Sequence, residues 1–437
     1  MKLGEDASIF LTHFFAWLNE HCQYAVLRSY EGLPESYKSR DIDFAIEKSE
    51  YKKVKKDMLS LVEHEGWRVI TIFKSYRLIT WVVGSISDNI QCNVIQMDFF
   101  LNNSAYGINL LSAKEIVASR IFNGKIYHVN KEYEFLDKYL YNRALGANYP
   151  EKYADIRHCV ENNSFVLQTL QQVFGCKYIS ECDTHNSKRL LLQAFKHNTI
   201  SSCFSIPIFL FYRLLNSFRK TCFSVGFTGP DGSGKTTVID LMITSLGDVY
   251  SKSHTYFHFR PMLFGNLGDV AHNAGLKKDV DHNYNQPHRG NKTNTLSSLV
   301  RLAYYATDYI IGYFVKVKPK IGYLRNLAIF DRYYTDIICD SRRSRIYLPT
   351  AFLYWFGRFF IPSLDYNILL TASTDAIMAR KQELDREGIE AINEKIDYLA
   401  TKPGYYKIMN DGTPKEAVAK ILHIIFDKQH QRNKKRI

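Results

Sequence analysis

Apolar side chains recur at helical spacing over residues 8–19, where Ile9, Phe10, Phe14, Phe15 and Leu18 share a stripe. The chain is therefore expected to open on an amphipathic helix. Residues 24–30 read as a strand, and Gly32 and Pro34 mark a loop. A second strand is expected at residues 40–46 and a third at 94–100. Helical periodicity then dominates residues 113–175, broken at Gly124, Gly146 and Pro150. Further on, strands are expected at residues 223–228, 254–259, 327–331, 366–371 and 405–409, separated by helical patterns. Strands alternating with helices predict a parallel α/β sheet. Thr413-Pro414-Lys415-Glu416 is a capping box with proline at the first helical position, so a last helix starts there.

The strand at 223–228 runs into Gly229-Pro230-Asp231-Gly232-Ser233-Gly234-Lys235-Thr236-Thr237, and a helical pattern follows. Every fixed position of G-x-x-x-x-G-K-[ST] is filled, in strand–turn–helix context. Glycines at 229, 232 and 234 let backbone N–H groups converge on an anion, and the helix N-terminus adds partial positive charge. Lys235 is placed for terminal phosphates and Thr236 for Mg²⁺. Asp331 ends an apolar strand, where such enzymes hold Mg²⁺ directly or through water, and Arg332 beside it suits a phosphate. Arg260 ends the strand at 254–259 and is expected to face the ligand crevice. Arg380, Lys381 and Arg386 read either as a solvated helix face or as a lid that neutralises developing charge. Residues 262–294 carry little periodicity and are expected to form a lid, a binding loop or a disordered segment, with His272, His282 and His288 off metal-ligand spacing and read as polar loop residues or substrate contacts.

In the first third of the chain, Asp41 and Asp43 alternate along a strand and so share a face. Asp98 stands among apolar residues on a later strand, which is costly unless it is paired or binds a cation. These three acids are a candidate metal set.

Composition changes the picture little. The 437 residues suggest two or three domains, with 46% hydrophobic content, enough for ordinary cores. Lys and Arg total 57 against 44 acids, a net +13, which suits phosphate-bearing substrates or an anionic surface without a strong nucleic-acid signal. The basic end of the chain (Lys428, Arg432, Lys434, Lys435, Arg436) reads as a solvated tail or an anionic-membrane contact. The eight cysteines lack C-x-x-C spacing and read as free thiols in a reducing cytoplasm. Glu5 and Asp6 are unlike a signal peptide. The apolar stretch at 204–215 is short for a bilayer span and contains Arg213. The expected boundaries are residues 1–160, a helical connector at 161–220, and 221–437.

The run Phe227-Thr228-Gly229 through Thr237, then Asp331-Arg332-Tyr333, then Glu383-Leu384-Asp385-Arg386, then Asn410-Asp411-Gly412 resembles thymidylate kinase over about residues 222–426. The resemblance implies a P-loop three-layer α/β/α fold and ATP- and Mg²⁺-dependent phosphoryl transfer from a nucleotide donor. It implies that Asp331 and Arg332 lie near the acceptor phosphate, with Asp231 and Arg260 also on the substrate side. Arg380 and Arg386 fall in its lid, Asn410, Asp411 and Gly412 near adenine, and Tyr305 where an aromatic stacks on the base. Gly232 stands where some members carry a catalytic arginine, so the lid is expected to supply that charge. Tyr309 replaces a base-reading arginine, and Arg260-Pro261-Met262 replaces Arg-Glu-Pro-Gly. The donor side matches and the acceptor side differs, which implies a changed acceptor. Residues 20–145, with Asp41, Asp43 and Asp98, resemble the nucleotidyltransferase superfold, an α+β domain; Leu27-Arg28-Ser29 lacks that family's glycine pair. Chains joining the two resemble proteins of bacterial surface-polysaccharide assembly. The acceptor is thus a nucleotide or other small molecule, or a sugar or glycan end. An ATP-binding switch with an altered first domain is the remaining alternative, and a homodimer is left open.

Overall fold

A computed structural model describes residues 5–36, 39–87, 90–265, 294–381 and 384–437. The expected histidine-bearing loop (His272, His282, His288) and Glu383 lie outside the described residues. The chain divides into two compact units. The first holds residues 1–87, 93–216 and 426–437; the second holds 88–92 and 217–425.

In the first unit a seven-stranded sheet runs in the order β3-β4-β5-β2-β1-β9-β8. Its strands are β1 (Tyr24–Val26), β2 (Asp41–Ile46), β3 (Arg68–Lys74), β4 (Leu78–Ile86), β5 (Cys92–Phe100), β8 (Ile121–Phe122) and β9 (Tyr127–His128), and the hairpin β6 (Asn102–Ala105) and β7 (Ile108–Ser112) stands apart. Period-two alternation divides β1 and β2 between two cores. Tyr24, Val26, Phe44 and Ile46 pack with Phe10, Phe14, Phe15 and Leu18 of the opening helix Glu5–His21. Ala25, Leu27 and Ala45 face Phe135, Leu136, Tyr139 and Leu140 of the helix Lys131–Ala144. Odd positions of β2, including Asp41 and Asp43, therefore point to the side of that helix.

Two boundaries differ from the sequence reading. Val166, Leu170, Leu190 and Ala194 share the second of these cores, so most of the expected connector belongs to the first unit. The basic end of the chain is largely helical and packed on one side, while Lys428, Lys434 and Lys435 stay exposed as a solvated tail's would. It continues the helix Pro414–Lys434 and lies against β3. Asn433 Nδ2 donates to the carbonyls of Val69 and Ile70 at 3.2 and 2.7 Å, and the Val69 N–H donates to His430 Nδ1 at 3.0 Å. Cys176 and Cys182 form a disulfide, against the expectation of free thiols, because the turn before the helix Ile179–Thr184 brings their Cα atoms to 5.6 Å.

The second unit is a five-stranded parallel sheet in the order β11-β12-β10-β13-β14. Its strands are β10 (Ser224–Thr228), β11 (His254–His258), β12 (Leu327–Asp331), β13 (Tyr366–Thr371) and β14 (Tyr405–Met409). The three inner strands β10, β12 and β13 are buried at every position, as a sheet covered on both faces requires. β10 lies at the centre, so its C-terminal end opens between the ends of β12 and β13, where open α/β sheets bind ligands.

Candidate functional site

The phosphate-loop motif lies at that central end. The loop leaves β10 and enters the helix Lys235–Ser245, with Thr236 and Thr237 exposed on its first turn. Close packing fixes the glycines. A Cβ on Gly229 would come within 1.9 Å of the Leu370 carbonyl oxygen. Gly232 and Gly234 both have φ +86°, which side-chain-bearing residues rarely adopt. A Cβ on Gly234 would also meet Asn410 Nδ2 at 2.6 Å. Asn410 is itself buried and donates to the Ser233 carbonyl at 2.9 Å, tying the end of β14 to the loop. Asp411 accepts from the Ser373 N–H at 2.7 Å. Gly234→Ala is expected to cost about 1–2 kcal/mol from backbone strain alone and to displace Asn410; urea denaturation of the variant measures it.

Lys235 is buried, and its ammonium donates to the Gly229 and Pro230 carbonyls at 2.8 Å each. Burial, then the nearby Arg332 charge, pull it down to about 8, against Asp231, Asp336 and Asp331. Arg332 has φ +73° and follows β12 directly, and its N–H donates to the Phe227 carbonyl at 2.9 Å. Its guanidinium reaches Asp231 at 2.5 Å and Asp336 at 3.6 Å. Burial disfavours its charge, but Asp336 and Asp231 outweigh burial and hold it above the usual arginine range.

Asp331 ends β12 in register with Phe227 of β10. Tyr256 donates to it at 2.9 Å, and His258 lies 3.4 Å away. Burial would raise this carboxyl; the His258 contact, the Arg332 charge, the Tyr256 bond and Lys235 outweigh it and keep Asp331 below the ordinary range. Four buried polar atoms here have no hydrogen-bond partner: Asp331 Oδ1, Ser233 Oγ, Arg332 Nε and Asn410 Oδ1. Such atoms occur elsewhere too, as at Thr80 Oγ1 and Asn93 Nδ2, but these four border the loop, where a polyphosphate and a cation could satisfy them.

The structure adds one residue that the sequence did not flag. Arg343 pairs with Asp231, and its Nε lies 3.4 Å from Asp340. Asp231 is thus clamped between Arg332 and Arg343. Nothing in Ser341-Arg342-Arg343-Ser344 signals this at the level of sequence, because the pairing crosses 112 positions.

Other expected residues are placed differently. Arg260 does not face an open crevice. It is 2% exposed and paired with fully buried Asp308 at 3.1 Å. Burial makes that pairing necessary, since an unpaired buried guanidinium is costly. Asp308 also accepts from the Leu263 and Phe264 N–H groups at 2.8 and 2.9 Å, so the pair shapes the turn after β11. The Arg260 guanidinium lies 4.9 Å from the Tyr305 ring centre, and Phe259 meets the same ring edge-on. Tyr309 is core, with its hydroxyl donating to the Phe259 carbonyl at 3.1 Å. Arg380 is exposed at the end of the helix Thr374–Arg380. Arg386 is exposed too, and it pairs with Asp375 at 2.5 Å and Glu390 at 3.8 Å rather than with the loop. The chain does adjoin the loop just past Arg380, where a Cβ on Gly232 would come within 3.3 Å of Lys381 Cβ.

In the first unit, parallel pairing of β2 with β5 sets Asp43 directly opposite Asp98. Asp41, Asp43 and Asp98 each offer a carboxylate oxygen within 4.8 Å of the others. The expected acid triad is therefore assembled. A guanidinium also reaches it. Arg28 Nε lies 2.7 Å from Asp43, and Arg28 Nη1 lies 3.0 Å from Asp137 on the helix Lys131–Ala144. Burial pushes Asp43 up to about 7; Arg28 opposes this, and Asp41, Asp98 and Asp137 add to it.

The parallel sheet of the second unit is compatible with a P-loop kinase-like fold. Among solved structures, the chain is similar to the thymidylate kinase of Ehrlichia chaffeensis at 15% identity, covering 46% of this chain and 98% of that one, with a TM-score of 0.33. It is similar to the thymidylate kinase of Candida albicans at 18% identity, covering 48% and 93%, also at 0.33. No protein-family model and no curated protein matches. At these scores the functional reading rests on the residues.

Proposed function

We propose that the second unit is an ATP- and Mg²⁺-dependent phosphotransferase that acts on a nucleotide or a related phosphate or hydroxyl acceptor. The observation that carries this reading is the set of four unpartnered buried polar atoms around the phosphate loop. Lys235 and the loop N–H groups would bind the β- and γ-phosphates. Thr236 and the open oxygen of Asp331 suit a magnesium ion, which would supply charge neutralisation at the phosphates. Arg332 sits close enough to Lys235 to share that task. Asn410, tied to Ser233, would border the nucleotide. Arg380 and Arg386 stand outside the loop's own contacts, so a lid role for them requires movement of the segment that carries them.

The acceptor side supports a partner other than thymidylate. Arg260, expected on the substrate side, and Tyr309, which stands where the resemblance has a base-reading arginine, are committed to Asp308 and to the Phe259 carbonyl. A sugar or glycan end is therefore the second acceptor class. Mass spectrometry of nucleoside monophosphates and of sugar acceptors after exposure to the protein, ATP and Mg²⁺ separates them. We expect an 80 Da-type phosphoryl increment, on the order of one phosphate per acceptor, on an acceptor other than dTMP. Label on dTMP alone excludes the glycan class, and tight ATP binding without any phosphorylated product favours a nucleotide-gated switch.

For the first unit, a nucleotidyltransferase-like site is proposed on Asp41, Asp43 and Asp98. Arg28 on Asp43 is a departure that favours altered chemistry there. An Asp43→Asn protein that retains every measured activity would make these acids structural.

A further inference from the structure

Among the described residues, one helix is long and apolar enough to cross a membrane by length and composition: Thr199–Phe218, 20 residues. The sequence reading had found only a shorter apolar stretch there. Yet only Ser202, Ser205 and Asn216 of this helix are buried. Its small polar side faces protein and its large apolar side faces out, the reverse of an ordinary surface helix.

The inner side is held by specific bonds. Ser205 Oγ donates to the Gly107 carbonyl at 2.6 Å, Asn109 Nδ2 donates to Ser201 Oγ at 3.1 Å, and Asn216 Nδ2 donates to the Lys74 carbonyl at 3.0 Å. Gly107, between β6 and β7, has φ +87°, and a Cβ there would come within 2.8 Å of Ile206 Cα. The helix backbone therefore rests directly on the hairpin turn. A helix fastened along its length through serine and asparagine is not a membrane span.

The outer side is apolar across a wide arc. Ile200 is 80% exposed, Phe204 72%, Phe211 58% and Leu214 59%. At 100° per residue these four, with Ile208 and Leu210, cover about 160°. Along the chain the flanking charge has one sign, although Glu115 lies near the start of the helix and Lys220 pairs with Asp365. Residues 184–230 contain Lys188, Arg189, Lys196, Arg213, Arg219 and Lys220, and no Asp or Glu. Lys188, Arg189, Lys196 and Arg213 are exposed.

We propose that this helix lies in the interface of an anionic lipid bilayer, with Ile200, Phe204, Phe211 and Leu214 inserted below the headgroups and the flanking basic residues on the lipid phosphates. An exposed apolar face that carries no acid of its own and is flanked along the chain by exposed Lys188, Arg189 and Lys196 matches that surface in both polarity and charge. A second copy of the chain fits less well, because pairing this face with itself would oppose like charges. The site differs from the basic end of the chain, whose His430 and Asn433 are engaged on β3.

The test is co-sedimentation of the full chain with phosphatidylcholine vesicles, with and without a quarter of phosphatidylglycerol. The wild type is expected to partition onto the anionic vesicles only. The double variant Phe204→Glu, Phe211→Glu should lose about tenfold to a hundredfold in partitioning, and Lys188→Glu, Lys196→Glu should lose the anionic preference. All these side chains are exposed, so folding should survive; far-UV circular dichroism and ATP binding check it. Binding that persists in the phenylalanine variant overturns the proposal, as does a wild type that binds neither vesicle. So does a wild-type dimer, seen by light scattering, that the phenylalanine variant splits while no vesicle is bound.

Discussion

Lys235→Met is expected to lower phosphoryl transfer by on the order of a thousandfold while leaving the fold intact. The methionine matches the lysine in length and removes the ammonium, with both its charge and its hydrogen-bond donors. In the resting site that charge is held by two carbonyls and crowded by Arg332, and burial already pulls it down to about 8. Burial disfavours the ammonium, while loss of its bonds to the Gly229 and Pro230 carbonyls works the other way, so the net change in stability is expected to be small. The same displacement predicts a pH dependence. The protonated lysine is the form that binds polyphosphate, and in the free protein it loses its proton near pH 8. ATP affinity should therefore fall as pH rises through that value, and binding near pH 8–9 should take up a proton, which calorimetry in buffers of different ionisation heat detects. The Lys235→Met protein should show neither effect. A variant that turns over at the wild-type rate ends the kinase reading.

The phosphate loop was legible because a phosphate cradle needs glycines and a lysine at fixed spacing over nine consecutive residues. The strands β10, β12 and β13 were legible for a related reason: a parallel sheet covered on both faces leaves nearly unbroken apolar runs. What local pattern does not encode is which charges meet across the chain. Arg260 and Arg332 both end strands and look alike in sequence. One is neutralised by Asp308, while the other stays beside the loop. Only the packing of the helix Thr295–Gly312 against the turn after β11 decides this. Arg343 reached Asp231 for the same non-local reason. In the first unit, β3 and β4 went unread although Val69 to Phe73 and Ile79 to Val83 are rich in β-branched and aromatic residues. The acid triad was readable because a strand's period and a parallel register suffice to place it. The outward turn of the helix Thr199–Phe218 was not, since hydropathy counts apolar residues without saying which side they face.

Asp231 illustrates how the two halves of the site depend on each other. Two arginines hold one carboxylate at the loop's crest, and Asp336 and Asp340 hold the arginines in turn. Under the proposed function an incoming phosphate would compete with Asp231 for the same guanidinium groups, which would make ligand entry and rearrangement of this cluster one event. That coupling explains how a chain with a glycine at 232 could still bring arginine charge to the phosphates from Arg332 and Arg343, without a loop-borne arginine.

Arg28→Ala is expected to destabilise the first unit by about 3–5 kcal/mol, the usual consequence of leaving buried carboxylates without their partner. Arg28 bridges Asp43 and Asp137, both nearly inaccessible to water, and Asp98 stands directly across from Asp43. Even with Arg28 present, burial raises Asp43 to about 7. The folded state therefore holds a proton that the unfolded chain releases near its ordinary carboxylate value, and stability falls as pH rises from about 4 to 7. Without the guanidinium this window should widen upward, and the loss should be largest above neutrality. Two rescues distinguish a structural cation from a catalytic one. Asp43→Asn in the Arg28→Ala background should restore most of the stability, because the amide needs no counter-charge. Added Mg²⁺ or Mn²⁺ should raise the melting temperature of Arg28→Ala more than that of the wild type, since Asp41, Asp43 and Asp98 then compete for a metal without an internal guanidinium in place. Equal shifts in both proteins would mean that Arg28 and the metal do not exclude each other, and the triad would then be a divalent-cation site in the native chain.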